Sequence, residues 1–133
     1  MSHNKSAKEA LIKKYGEQCF IDRLKINTEP RTYKSSKQYK KMKKLTYHHI
    51  VEKQNGGEAT IENGALLSVE NHEWFHRQDA ITQQILNSLF QELKEVELID
   101  NLELPFELKA KVIQFNEKGK VIEQEREKEE RYE

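Results

Sequence analysis

Four of the chain's five histidines fall within residues 45–77, LTYHHIVEKQNGGEATIENGALLSVENHEWFHR, as an adjacent pair, His48-His49, and a spaced pair, His72 and His76. Imidazole binds divalent metals and exchanges protons near neutral pH. His72 and His76 stand four residues apart, and on a helix that spacing puts both rings on one face, where they can grip one ion. His48 and His49 sit in a run rich in β-branched and aromatic residues, which reads as a strand over 45–51. Adjacent strand residues point to opposite faces. Unless the strand bends there, the two histidines have different jobs: one can bind a metal while the other faces substrate. Asn63 lies between the pairs. Its amide can tie down the backbone of the intervening loop, and Gly56-Gly57 lets that loop turn tightly.

The elements that must position these residues follow from pattern. Residues 6–15 predict a short amphipathic helix, with Ser6 and Glu9 as a capping box and Gly16 as its stop. Cys19-Phe20-Ile21 is a small apolar run that docks on the core, its thiol structural. Residues 27–30 form a loop. Residues 54–57 are a turn signal, and 60–63 fit a single helical turn. A second strand is predicted over 64–67. Ser68 caps a helix running through His76, and Asp79 caps another over 80–97. In that second helix Ile81, Ile85, Leu86, Leu89, Phe90, Leu93 and Val96 make a broad apolar stripe. Residues 102–105 break the chain. Pro105 then opens a helix over 106–115 with Leu108, Val112 and Phe115 on one side. Residues 123–133, almost wholly charged, read as a solvated helix end or a tail. Trp74 and Phe75 read as core, although Trp74 could also stack on a base.

Composition bounds what these elements can serve. The chain has 133 residues, of which 35% are hydrophobic and 35% charged, which suits one domain with a modest core. A single cysteine excludes an intramolecular disulfide and a cysteine-only zinc site. No apolar run reaches the roughly 18 residues of a membrane span, and the first residues do not resemble a signal peptide. The expected setting is therefore intracellular and cytoplasmic. Net charge is zero, but residues 1–53 hold fourteen basic and five acidic residues, a net of +9, which leaves −9 for the remainder. Such asymmetry points to a polyanionic partner for the first half. The run over 31–44, RTYKSSKQYKKMKK, carries seven basic residues and no acid directly before the histidine pair. A solvated linker is the plainer reading of the same run.

As an ordered set, His48-His49, Gly56-Gly57, Asn63 and His72 resemble the HNH endonucleases of the ββα-metal nuclease group. Those have a His-containing pair at the end of a first strand, a glycine-containing loop, a central Asn, and a His nine residues later on a helix. His76 is similar to the third metal-binding histidine of the colicin-type DNases in that group. The resemblance covers residues 45–77, about a quarter of the chain. It implies an α+β, mostly helical protein. A ββα-metal core, a short antiparallel hairpin plus a helix, would occupy 45–77 of a single nuclease domain. The basic helix and arm over 1–44 and the bracing helices over 78–116 would flank that core, and a charged tail would cover 117–133.

The resemblance also assigns roles. His49 would be the general base that takes a proton from the attacking water. His48, His72 and His76 would hold one divalent cation, which stabilises charge on the phosphoryl group and the leaving oxygen. Asn63 would hold the loop that aims His49. Many family members carry Asp at the position of His48. An imidazole there is softer and favours Zn²⁺, Ni²⁺ or Mn²⁺ over Mg²⁺, so the ion is left open among the four. Many relatives also carry two CxxC pairs around a structural zinc, which this chain lacks. The expected function is hydrolysis of DNA phosphodiester bonds. Lys37, Lys40, Lys41, Lys43 and Lys44 would contact phosphate, and Arg77 either a phosphate or a surface carboxylate. The alternatives are a non-catalytic nucleic-acid-binding module on the same scaffold and an interaction domain that uses the acidic C-terminal helices. Homodimerisation through the apolar helices, and nicking against double-strand cutting, are left open.

Overall fold

The computed structural model describes residues 3–29, 31–96 and 104–131, with side chains from residue 4 to residue 118 within those spans. Pro30, Glu97, Leu102, Glu103, Tyr132 and Glu133, each part of an expected element, lie outside the described residues. The protein is mixed α+β and mostly helical. Its order is α1 (His3–Tyr15), α2 (Phe20–Leu24), α3 (Ser36–Met42), β1 (Leu45–His49), β2 (Gly64–Ser68), α4 (Val69–His76), α5 (Ala80–Glu95) and α6 (Phe106–Arg131), with a turn of 3-10 helix at Lys53–Asn55.

β1 and β2 form a two-stranded antiparallel sheet in which His48 faces Ala65 across the ladder and His49 faces Gly64. β2 is buried along its whole length. Strands this short need cover on their faces to persist in water. α1 packs against both strands, as does α4, and α2 joins β2 to α5. The core is one cluster that includes Leu11, Phe20, Ile21, Leu24, Leu66, Leu67, Phe75, Leu86, Phe90 and Leu93. Phe90 is its hub, edge-on to Phe20 at 6.2 Å and tilted against Phe75 at 6.1 Å between ring centroids.

The caps explain most boundaries. Ser68 accepts from the Asn71 amide at 3.3 Å and starts α4, and Asp79 accepts from the Thr82 amide at 2.7 Å and starts α5. Gly16, at φ +95°, ends α1 in the left-handed region open to glycine. α1 begins three residues before the expected Ser6 cap, because nothing in His3-Asn4-Lys5 breaks a helix, so Ser6 lies inside the helix and forms no capping box. The basic segment is part helix: Ser35 accepts from the Gln38 amide at 3.1 Å and nucleates α3. β1 stops at His49, two residues short of expectation, because the Asn63 side chain then takes over from the backbone ladder. Residues 60–63 form an irregular turn rather than a helical one, with the Asn63 amide donating to Thr60 Oγ1 at 3.1 Å.

The stripe on α5 is narrower than expected. Leu86, Leu89, Phe90 and Leu93 are buried, whereas Ile81 is 72% and Ile85 41% exposed. At 100° per residue, Ile81 and Ile85 sit about 130° and 90° around the helix from the centre of the buried four. α6 runs on past Phe115 to Arg131, so most of the expected tail continues the helix. No helix among the described residues is long and apolar enough to cross a membrane.

Candidate metal centre

β1 and α4 bring three histidines together. His48 Nδ1 lies 3.4 Å from His72 Nε2, and ligand atoms of His48, His72 and His76 all fall within 4.8 Å of one another. Thr46 and His48 share the face of β1 turned to α4. His49 is on the opposite face, half-buried, packed edge-on against Tyr47 with 4.8 Å between ring centroids. The strand alternation therefore divides the histidine pair as its adjacency implied.

The hydrogen-bond partners favour one tautomer for each ring. The Thr46 hydroxyl donates to the Leu67 carbonyl at 2.7 Å, so toward His72 Nδ1, 2.8 Å away, it can only accept. His72 is thus protonated on Nδ1, and its Nε2 lone pair faces the cluster. Asn87 Nδ2 donates to the Ile50 carbonyl at 3.2 Å, which turns Asn87 Oδ1 toward His48 Nε2 at 2.8 Å. His48 therefore donates from Nε2 and leaves Nδ1 bare. Two lone pairs confront each other across 3.4 Å with no proton between them, an arrangement that a cation relieves. Tetrahedral Zn–N bonds of about 2.05 Å place neighbouring nitrogens roughly 3.3 Å apart, so this pair fits a metal. A neutral three-imidazole set suits Zn²⁺, Ni²⁺ or Mn²⁺ better than Mg²⁺.

Burial keeps His48 and His72 neutral. It pushes His48 down to about 4, and the neighbouring His72, His76 and His49 push the same way against the Asn87 bond. It pushes His72 to about 4 as well, with His76 and His49 adding to it. His49 is lowered by burial and by Lys53. His76 is exposed and opens onto a groove of about 530 Å³ lined by Thr46, Val69, His72, Glu73, His76 and Arg77.

Asn63 ties the loop between the strands from three sides. Its Oδ1 accepts from the Val51 amide at 2.8 Å, and its Nδ2 donates to the Val51 and Glu58 carbonyls, each at 3.0 Å. Gly57 is required beneath it, since a Cβ there would stand 1.8 Å from the Val51 oxygen and 2.9 Å from Asn63 Nδ2. Tyr47 closes the same loop by donating to the Thr60 carbonyl at 2.6 Å.

The basic residues divide. Lys37, Lys40, Lys41 and Lys44 are exposed, spaced i, i+3, i+4, i+7 along one side of α3 and its end. Lys43 turns the other way and pairs with buried Glu70 at 2.6 Å; that bond holds its ammonium well above the usual range. Lys43 is therefore tied to Glu70 in this structure, although its side chain is still 39% exposed. Glu70 also accepts from the Tyr33 hydroxyl at 2.5 Å, while its carbonyl accepts from Arg31 at 2.8 Å. Arg77 rims the groove and lies 3.6 Å from Glu29, both side chains largely in solvent. Trp74 is buried in the core. Thr46, Glu70 and Asn87 escaped the sequence reading. Only Asn87 left a trace there, as a polar residue between Leu86 and Leu89.

Scans against family models, curated proteins and solved structures give no match for this chain.

Proposed function

We propose that the protein is a metal-dependent endonuclease of the HNH, ββα-metal type that hydrolyses phosphodiester bonds in DNA. The observation that carries this reading is the convergence of His48 Nδ1 and His72 Nε2, with His76 beside them at the mouth of an open groove. In this reading β1, β2 and α4 are the ββα core, and His48, His72 and His76 hold one divalent ion. That ion, when bound, would supply Lewis-acid stabilisation to the phosphoryl oxygens and the leaving oxygen. His49, neutral at pH 7 because burial lowers it, accepts a proton from the attacking water. Asn63 keeps the chain that follows β1 fixed, and with it the direction of His49. Arg77 and the exposed α3 lysines bind the phosphate backbone, which positions substrate without reading its bases.

The test is supercoiled plasmid and, separately, RNA, incubated with purified protein and Mg²⁺, Mn²⁺, Ni²⁺ or Zn²⁺. Nicked or linear plasmid is expected with at least one ion. His49→Ala should abolish cutting while metal affinity and unfolding midpoint stay at wild-type values; normal cutting by that variant overturns the mechanism. One feature favours a second reading, a non-catalytic nucleic-acid-binding module: His49 faces away from His48 and packs on Tyr47. A gel shift with intact plasmid under all four ions would select it.

A further inference from the structure

The choice of metal-binding nitrogen on His48 is made outside residues 45–77. His48 is 3% exposed, and besides the His72 and His76 rings of the cluster it packs on the phenyl rings of Phe75, at 4.4 Å, and Phe90, at 5.7 Å. Neither ring can hold an imidazole N–H in place. Asn87 can. It stands on α5, 39 residues further along the chain, and its amide is already oriented by the Ile50 carbonyl.

Resting on the metal-binding reading above, we propose that Asn87 is a positioning residue that selects Nδ1 of His48 as the ligand atom. The physical reason lies in the two tautomers. With a proton on Nε2, His48 satisfies Asn87 and presents a lone pair beside that of His72. With the proton on Nδ1, His48 would donate to His72 Nε2 and close the site with a histidine–histidine hydrogen bond. Nε2 would then face the Asn87 oxygen lone pair to lone pair at 2.8 Å. Asn87 thus penalises the closed tautomer. Turning the amide over gives no escape, because its oxygen would then face the Ile50 carbonyl. Groups that orient metal-bound histidines in this way typically change metal affinity by about 10–100-fold when removed. Asn87 does not touch metal or substrate, and it acts only through His48.

The test combines ¹⁵N NMR of the histidine rings in metal-free protein with Zn²⁺ and Ni²⁺ titration by calorimetry. In the wild type, His48 should be protonated on Nε2. Asn87→Leu, similar in size but without an acceptor, should shift His48 toward the Nδ1–H form and weaken metal binding about 10–100-fold. Asn87→Asp keeps an acceptor for Nε2–H, but it gives up the donor to Ile50 and sets an oxygen against that carbonyl, at a cost in stability rather than in tautomer. It should keep the wild-type tautomer and bind metal at least as tightly, which keeps the question decidable if the leucine variant fails to fold. Wild-type tautomer and affinity in Asn87→Leu, or a tenfold loss in a folded Asn87→Asp, would overturn the proposal. A wild type that binds neither ion overturns the metal-binding reading itself and this proposal with it.

Discussion

Neutral imidazoles bind cations and protonated ones do not, so burial of His48 and His72 would set the pH range of the proposed metal binding. The same burial makes stability depend on pH. In the unfolded chain these groups titrate near 6.5, and in the folded protein His48 and His72 titrate at about 4. Between those values the unfolded state binds more protons, so stability is fully present above about 6.5 and falls as pH drops toward 4. His48 alone accounts for a loss on the order of 3 kcal/mol, with a smaller, solvent-screened share from His72. Urea midpoints measured with a chelator from pH 7.5 to 4.5 should decline across this window and flatten in His48→Gln. A flat wild-type profile would contradict the assignment. Glu70 works in a lower window: its carboxyl is held below the usual range by Lys43 and Tyr33 against burial, so its contribution is lost only below about 4.5. The histidine set was legible in the sequence because adjacency and four-residue spacing are local signals. Thr46, Asn87 and Glu70 were not, because their partners lie 26, 39 and 37 residues away and only the folded chain brings them together.

α5 braces the site through more than apolar contact. Near its end, Lys94 donates to the carbonyls of Ile61, Glu62 and Gly64 at 2.6, 2.8 and 2.8 Å, fastening the helix to the turn that leads into β2. Burial lowers this lysine to about 8, so it is still mostly charged at neutral pH. Lys94→Met keeps the stem and strips the turn of its donor. It should cost about 2 kcal/mol in a urea titration, since three carbonyls lose their partner. A loss below about 0.5 kcal/mol would show that water replaces the ammonium without penalty. Gly64 sits at the same junction, where a Cβ would meet the Tyr47 ring at 2.4 Å and Leu11 at 2.7 Å. Elements with strong caps were readable: the starts of α4 and α5 fall where Ser68 and Asp79 placed them. The start of α1 and the exposed Ile81 and Ile85 were not, because only packing decides which apolar residues on a helix find a neighbour.

Across the whole molecule, the charge asymmetry becomes a surface. The α3 lysines that face solvent form a stripe fixed to α4 from behind by Lys43 and Glu70. If this stripe binds duplex DNA as proposed, its four phosphate contacts would give a log–log salt dependence of about −3.6. Lys40→Ala should lower that slope by about one. Lys43→Ala should leave the slope unchanged and destabilise the fold. Gel-shift affinities over a salt series check both, and an equal drop in slope for Lys43→Ala would mean the ion pair with Glu70 does not hold. The basic run was legible as a charged surface from composition alone. Which of its lysines is withdrawn was not, since that depends on a carboxylate 27 residues away.

One contact bears on how the chain comes together in time. Asn116, on α6, accepts from the Asn27 amide at 2.9 Å and donates to the Lys25 carbonyl at 3.2 Å, across 89 and 91 residues. Pairings between β1, β2 and α4 span few residues and close at lower entropic cost than contacts this distant in sequence. During synthesis the strand pair and its helix can assemble while the chain is still growing. Asn87 reaches His48 only once α5 has emerged, and the loop after α2 receives its last partner only when α6 follows. The order in which the chain emerges thus puts the Asn116 bonds last, after the histidine cluster and Asn87 are already present.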